Sequence, residues 1–257
     1  MRPDARSFDA LRPVEMILGF HRPSEGSVLY RAGGTVVLCT ASVDSKVPPF
    51  LEGKGKGWLT AEYQMHPRAN PPRRENRDGR GKAPSGRTQE IQRLVGRALR
   101  AAVLLDKLGE ITISIDCDVL EADGGTRTAS VTGGFVALAL ALAKLRQRGT
   151  ITGPVLREPV AATSVGLLKG DKVALDLVYT EDSAAEVDLN VVATASGAII
   201  EVQGTAEGAP APRARIDAML DLALIGVAEL TRQQRVALAG AGVSLDSLLV
   251  GGGAVAG

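Results

Sequence analysis

The stretch that most constrains the fold is residues 108–145, LGEITISIDCDVLEADGGTRTASVTGGFVALALALAKL. In its first part, apolar side chains from Ile111 to Val119 alternate with short polar ones. This period of two predicts a half-buried strand. Residues 129–145 are apolar on nearly every side and rich in Ala and Leu, which predicts a buried helix.

The turn between this strand and helix, residues 123–128, reads DGGTRT. Two glycines let the backbone turn sharply and approach a ligand closely. The free amides and the dipole of the helix start favour an anion, and two hydroxyls and the Arg127 guanidinium stand beside them. Taken alone, the same residues also fit an ordinary strand-to-helix turn capped by Thr128.

Composition describes an ordinary globular chain. It has 257 residues, of which 45% are hydrophobic and 23% charged, enough for one large or two small domains. Aromatic residues make up 3%, so stacking on aromatic rings is not expected to dominate RNA binding. The start of the chain lacks an apolar signal region, and no segment has membrane-spanning character. We therefore expect a cytoplasmic protein.

Cysteine and histidine argue against a zinc site. Cys39 and Cys117 both fall in predicted strands, where small buried thiols are expected rather than a disulfide or a metal site. His21 and His66 have no Cys or His partner at ligand spacing, so zinc is not expected.

Charge is distributed unevenly along the chain. The whole sequence has a net charge of +1, but residues 66–100 contain ten arginines and lysines against three acids, a net charge of +7. A positive block in a near-neutral protein suggests a bound polyanion. A solvated surface loop is the alternative. The first part of the block is rich in proline and glycine and predicts irregular structure.

The remaining pattern predicts hairpins and two more helices. Two strands are expected within residues 27–43, and further hairpins within 160–179 and 186–203. A helix begins at Gly86-Arg87-Thr88, which places Arg87 at a helix start, as Arg127 is. Two such helix starts could converge on one small anion. Residues 213–238 predict an amphipathic helix, and residues 251–257 a small-residue tail.

Four acids lie close together in TEDSAAEVDLN, residues 180–190. Asp182 and Asp188 are six residues apart across a predicted loop-to-strand transition, so their carboxylates could share a metal ion. Hard carboxylate oxygens suit Mg²⁺ or Mn²⁺. Helix-capping and surface acids are the alternative interpretation.

Eight sequence blocks, in order, resemble the ribonuclease PH family of phosphate-dependent 3′-to-5′ exoribonucleases. They are MRPDAR, EGSVL, VLCTASV, GWLTAEY, GRTQEIQRLVGRALRAAV, DCDVLEADGGTRTASVTGGFVAL, EDSAAEVDLNVV and EVQGTAEG. The resemblance covers residues 1–234. It implies an α/β (α+β) fold like domain 2 of ribosomal protein S5, with a mixed sheet packed by helices. It further implies one family domain at residues 1–239, followed by a flexible tail at 240–257, and a homo-hexamer built as a trimer of dimers.

The resemblance also implies an activity and its residues. Inorganic phosphate, the co-substrate, would attack the last phosphodiester of a tRNA precursor or an rRNA and release a nucleoside diphosphate, and the reverse reaction would add nucleotides. The implied phosphate-binding residues are Arg87, Gly125, Thr126 and Arg127. Asp182 and Asp188 match the positions that bind Mg²⁺, which makes Arg87, Arg127, Asp182 and Asp188 the implied catalytic set. The tRNA body would be held by Arg68, Arg73, Arg74 and Arg77, with Arg80 as a weaker candidate.

Two other classes of function remain open at the level of sequence. A catalytically inactive RNA-binding subunit of an exosome-like ring would share the fold, but such subunits lose the arginines or the acids, which this chain retains. A two-metal hydrolytic nuclease would need a denser cluster of carboxylates or histidines, and it does not require a binding site for a separate anion.

Overall fold

The computed structural model of the chain describes residues 2–72, 74 and 83–251, which form two β-sheets and four α-helices. The first sheet comprises β1 to β5, which are Val14–Leu18, Gly26–Ala32, Thr35–Asp44, Trp58–Met65 and Thr112–Glu121. The second comprises β6 to β9, which are Val160–Leu168, Lys172–Leu175, Val187–Thr194 and Ile199–Ala206. The helices α1 to α4 are Gly86–Ala102, Thr126–Gln147, Tyr179–Asp182 and Arg213–Gly240. The predicted mixed α/β class is confirmed, with the strands divided between two sheets.

The strand order places β5 inside the first sheet. That sheet has the order β1-β2-β3-β5-β4, and its neighbours are antiparallel except for the parallel pair β4 and β5. The chain passes from β4 through α1 to β5, which is the crossover that a parallel pair requires. The second sheet is antiparallel throughout, in the order β7-β6-β8-β9.

The two faces of the first sheet differ as the alternation in β5 predicts. The inner face carries buried side chains of β5: Ile113, Ile115, Cys117 and Val119. The outer face carries Glu62, which lies opposite Asp116, and also Asp118. Burial raises the pKa of Asp116 and so does the charge of Asp118, while burial and Asp116 together raise the pKa of Glu62. The outer face is therefore a surface of crowded carboxylates.

Helix α2 occupies the centre of the molecule. Phe135, Leu138 and Leu142 are fully buried, and the helix contacts β2, β3 and β5 of the first sheet and β6 of the second. By length and composition α2 could cross a membrane, but 83% of its most apolar window is buried inside the fold. This is the placement of a core helix, and it explains why the sequence has no polar stripe there.

A buried polar contact joins α2 to the second sheet and to α4. The hydroxyl of Thr132 donates to the carbonyl of Ala162 (3.1 Å) and accepts from its amide (3.0 Å). Gln234 of α4 donates to the carbonyls of Thr132 and Val160, both at 3.0 Å. These bonds hold three elements in one arrangement, because buried polar groups left without partners would be costly.

The end of the described chain packs against the core. The sequence predicts a flexible tail from residue 240, but residues 241–250 continue the fold. Leu245, Leu248 and Leu249 are buried, and the carbonyl of Leu248 accepts from the amides of Val155 (3.0 Å) and Leu156 (2.8 Å). Residues 252–257 lie outside the described part of the chain.

Most of the predicted elements occur, and two strands were not predicted. The hairpins β2–β3, β6–β7 and β8–β9 and the helices α1, α2 and α4 are confirmed within a few residues. Strand β1 follows the Arg-containing leader, and β4 lies in the GWLTAEY block. Strand β4 supplies a tyrosine to the candidate site.

A close approach of α2 to the first sheet predicts a stability effect. A Cβ atom added at Gly26 would lie 2.1 Å from the carbonyl oxygen of Ala137 and 2.7 Å from the amide of Ala141. Because these are backbone atoms, the helix would have to move. We expect Gly26→Ala to lower the free energy of unfolding by about 1–3 kcal/mol, seen as a drop of several degrees in Tm.

The matched control for this prediction is Gly153→Ala. The added methyl group at Gly153 would meet nothing within 4 Å, and the backbone there is not left-handed. Equal Tm values for the two variants would show that α2 does not depend on this close approach.

Candidate active site

The first turns of α1 and α2 hold the predicted phosphate-binding residues. Gly125 is the N-cap of α2 with φ of +67°, and Thr126 and Arg127 are the first two residues of the helix. Arg87 is the second residue of α1, whose N-cap Ser85 accepts a hydrogen bond from the amide of Thr88 (3.1 Å). Both helix starts carry an arginine in the first turn. The dipole there disfavours a cation and favours an anion.

Tyr63 joins these elements, and sequence reasoning missed it. This residue of β4 is 2% exposed, and its hydroxyl lies 2.9 Å from the hydroxyl of Thr126. Burial raises the pKa of Tyr63, while the hydrogen bond to Thr126 and the charges of Arg87 and Arg127 oppose the rise. The hydrogen bond fixes β4 to the first residue of α2. The only signal in the sequence was the position of Tyr63 in the GWLTAEY block.

Glu90 fixes one side of Arg127. The Nη2 atom of Arg127 donates to the Oε2 atom of Glu90 at 3.0 Å, and the arginine side chain is 25% exposed. The Nε atom of Arg127 is buried, and it has no hydrogen-bond partner among the described residues. The Oε1 atom of Glu90, in the same ion pair, is likewise buried without a partner among the described residues. A bound anion would satisfy the donor of Arg127 but not the acceptor of Glu90. Glu90 lies three residues after Arg87, on the same side of α1.

Asp182 and Asp188 lie at a junction between elements. Asp182 is the last residue of α3, and Asp188 is the second residue of β8. Burial raises the pKa of Asp182, and the charges of Arg127 and Arg87 partly oppose the rise. Burial also raises the pKa of Asp188, as do the charges of Asp182 and Glu207, whereas Arg127 lowers it. The charge of Asp182 therefore contributes to the raised pKa of Asp188, and the charge of Arg127 opposes the rise at both carboxyls.

The donor set for a metal ion is small. Among the described residues, no group of three or more His, Cys, Asp or Glu side chains is placed to hold a metal ion. The pair Asp182 and Asp188 offers hard carboxylate oxygens under mutual repulsion, a chemistry that suits a divalent cation. Cys39 and Cys117 are free and buried, as predicted.

The arginine-rich segment is described only in part. Arg68 is exposed and donates to the carbonyl of Pro72 at 3.1 Å. Arg74 is also exposed. Arg73, Arg77 and Arg80 lie outside the described residues. The proposed tRNA contact of this segment stays a prediction.

The mixed α/β fold and the two helix starts that carry arginines agree with a known protein family. Residues 10–144 match domain 1 of the 3′ exoribonuclease family, and residues 158–226 match its domain 2. The chain belongs to this family.

One relative is similar to this protein over nearly the whole chain. The chain is 53% identical over 235 residues to ribonuclease PH of Bacillus pumilus strain SAFR-032, which covers 91% of this chain and 97% of that protein. The resemblance seen in the sequence is confirmed.

Solved structures share the fold. Rice (Oryza sativa) Rrp46 superposes with a TM-score of 0.74 at 17% identity, covering 92% of this chain and all of that one. A chain of the Archaeoglobus fulgidus exosome with RNA bound to the active site gives a TM-score of 0.73 at 23% identity, covering 90% of this chain and 92% of that one. At these identities the likeness establishes the fold.

The raised pKa of Asp188 predicts a gain in stability when its charge is removed. Because the folded state holds the proton more tightly, stability is lost as the pH rises from about 4, the unfolded pKa, through the folded pKa. We expect Asp188→Asn to have a higher Tm than the wild type at pH 7. The difference should shrink toward pH 4.

Tm should be measured in phosphate-free buffer with a chelator, so that no ion screens the pair. Asp221→Asn, which removes an exposed carboxylate from α4, controls for the loss of one charge. A Tm of Asp188→Asn at or below the wild-type value at pH 7 would contradict the repulsion.

Proposed function

We propose that this chain is a phosphate-dependent 3′-to-5′ exoribonuclease that shortens RNA from its 3′ end and releases nucleoside diphosphates. Family membership and the identity to a ribonuclease PH support the activity. The observation that carries the site is the ion pair between Glu90 of α1 and Arg127 of α2, which joins the first turns of the two helices. In agreement with it, the charges of Arg87 and Arg127 both oppose the rise in the pKa of Tyr63 and of Asp182.

The reaction explains the choice of residues. An oxygen of inorganic phosphate attacks the phosphorus of the last phosphodiester, the bond to the 3′ oxygen of the preceding nucleotide breaks, and that oxygen takes a proton. Phosphate is already a nucleophile, so no activating base is required. The obstacle is the approach of one anion to another, and positioned cations and helix amides reduce that repulsion.

In this proposal each residue has a defined role. Arg87 and Arg127 hold the attacking phosphate, together with the amides at Gly125 and the hydroxyl of Thr126. Tyr63 and Glu90 touch Thr126 and Arg127 and fix them in place. Because a phosphodiester is exchanged for an anhydride, the driving force is small, and the same site can add nucleotides from diphosphates.

We also propose that Asp182 and Asp188 bind Mg²⁺. The bound ion would neutralise charge on the scissile phosphate. Among the described residues, neither carboxylate forms an ion pair with a Lys, Arg or His side chain. Without phosphate or RNA, Mg²⁺ should raise the Tm of the wild type more than that of Asp188→Asn.

The substrate and assembly are finer proposals. The positive charge of residues 66–100 supports binding of a tRNA body at a distance from the reacting 3′ end, with rRNA as a further substrate. A homo-hexamer would present several copies of this segment to one RNA. A cytoplasmic location is part of the same proposal.

Two alternatives predict different products. An inactive ring subunit would bind RNA and release nothing, whether or not phosphate is present. A hydrolytic nuclease would release nucleoside monophosphates without phosphate. Incubating RNA with and without phosphate and identifying the nucleotides released therefore separates the three, and diphosphates formed only with phosphate support the proposal.

Arg87 and Arg127, which are proposed to hold the attacking phosphate, are called the cradle arginines. Loss of either should affect phosphorolysis far more than RNA binding. Each supplies a charge-assisted hydrogen bond to the nucleophile, so Arg87→Ala and Arg127→Ala should each lower the phosphorolysis rate on the order of 100-fold. Affinity for tRNA should change little.

The control is Arg93→Ala. Arg93 is exposed on the same helix as Arg87, so its removal costs one charge without touching the cradle. Wild-type rates for both cradle variants at low phosphate would remove the cradle from the mechanism.

The arginine-rich segment should matter for tRNA and not for short RNA. Replacing Arg68, Arg73, Arg74 and Arg77 by Ala should weaken tRNA binding at low salt. It should also flatten the salt dependence by roughly 0.7 to 0.9 in log–log slope for each RNA phosphate that the segment no longer neutralises. A short unstructured RNA has no tRNA body to hold, so its cleavage should suffer much less.

A control variant removes the same charge elsewhere. Four exposed arginines, Arg22, Arg31, Arg213 and Arg232, are replaced by Ala. Equal losses on tRNA and on short RNA would place the segment in the active site instead. If the two quadruple variants weaken tRNA binding equally, the loss of net charge alone explains the effect.

A further inference from the structure

The N-terminal arm, residues 2–12, brings three arginines against the back of the candidate site. Arg2 and Arg12 are each 4% exposed, which is rare for arginine unless it is paired. Arg2 pairs with Glu181, and Arg12 pairs with Asp176. Both acids lie on the segment between β7 and the end of α3. The sequence block MRPDAR covers only the first half of the arm, and no role for the arm follows from it.

Arg12 connects that segment to the glycine turn before α2. Its Nε and Nη2 atoms donate to the two carboxylate oxygens of Asp176, at 3.0 Å and 2.7 Å. Its Nη1 atom donates to the carbonyl of Asp123 at 2.7 Å, and Nη2 also reaches the carbonyl of Gly124 at 3.4 Å. Burial works against the charge of Arg12, but Asp176 outweighs it and raises the pKa of the guanidinium.

The glycine turn and the Asp176 segment are in direct contact. A Cβ atom at Gly124 would lie 2.5 Å from the carbonyl oxygen of Leu177, so only glycine permits this approach. The amide of Tyr179 donates to the Asp123 carboxylate at 3.2 Å. Asp176 itself has φ of +53°, a strained conformation that persists because its surroundings hold it.

Thr35 holds the same turn from a second side. Its hydroxyl donates to the carbonyl of Gly124 at 2.6 Å and accepts from the amide of Asp123 at 2.9 Å. In a trans peptide the N–H points away from the C=O. Fixing the carbonyls of Asp123 and Gly124 toward Arg12 therefore turns the amides of the next residues, Gly124 and Gly125, to the opposite side.

We propose that Arg12 is a positioning residue for phosphate: it orients the glycine turn so that the start of α2 can hold the anion. This inference rests on the proposed function. Arg12 does not reach the substrate, because its charge is buried and neutralised by Asp176. Its effect passes through the backbone of the turn to Thr126 and Arg127.

The variant that tests this is Arg12→Lys. Lysine keeps the positive charge and can still pair with Asp176, but it is a single ammonium and lacks the planar fork that reaches Asp176 and the turn together. We expect the Kd for inorganic phosphate, measured by calorimetry on the intact protein, to rise on the order of tenfold, as when an outer partner of a metal ligand is removed. The KM for phosphate should rise in parallel while kcat at saturating phosphate is retained.

Arg6→Lys is the matched control. Arg6 also contacts Asp176, donating to its carbonyl at 3.0 Å, but no contact between it and residues 123–125 exists in the described structure. Its phosphate Kd should equal that of the wild type. If Arg12→Lys binds phosphate as tightly as the wild type, or if both variants weaken binding equally, Arg12 is not a positioning residue.

Two further variants keep the test decisive. Thr35→Val removes the bonds to the same turn, and with them the weak contact from Nη1 of Arg12 at 3.5 Å, but it leaves the ion pair of Arg12 with Asp176 intact, so it should also raise the phosphate Kd. If Arg12→Lys fails to fold, an unchanged Kd for Thr35→Val overturns the inference. Arg127→Ala tests the proposed function separately. If the phosphate Kd of Arg127→Ala equals that of the wild type, the proposed phosphate site itself is wrong. If Arg127→Ala binds phosphate more weakly but Arg12→Lys binds it as tightly as the wild type, only the positioning role of Arg12 is wrong.

Discussion

Enclosing α2 is the constraint on which the rest of the structure depends. A helix with almost no polar side must be covered in nearly every direction, and here the two sheets and α1 cover it. Glycine in the sheet allows a close approach, because a Cβ atom at Gly26 of β2 would meet the helix backbone at Ala137 and Ala141. The last turn of the helix reaches the surface, and in the first turn Arg127 is partly exposed. That first turn carries Thr126 and Arg127, so the element that forms the core also supplies the candidate site.

The sequence predicted the local parts of this arrangement. The alternation in β5, the apolar run of α2 and the glycine turn between them depend on neighbouring residues, and all three occur as expected. The start of α1 at Gly86 follows from helical spacing in the same way. The family and the fold were likewise predicted from ordered sequence blocks and are confirmed.

The contacts between distant residues could not be predicted in this way. Arg12 lies 111 residues from Asp123 and 164 from Asp176, and no periodicity links positions so far apart. Tyr63 and Glu90 were missed for a related reason. A tyrosine in a strand and a glutamate on a helix are ordinary residues until the fold brings them to Thr126 and Arg127. The prediction of a tail from residue 240 failed for residues 241–250, because its buried leucines are too few to form a periodic pattern.

The crowded carboxylates on the outer face of the first sheet affect how a polyanion meets this molecule. Glu62, Asp116 and Asp118 lie on the outer face, where Glu62 also accepts a hydrogen bond from Gln92 of α1. At physiological salt, charges are screened beyond about 8 Å, so this face does not guide RNA from afar. Its carboxylates act on a polyanion only at short range. Because burial and neighbouring carboxylates already raise the pKa values of Glu62 and Asp116, a phosphate backbone placed against this face would add to a repulsion that the fold itself maintains.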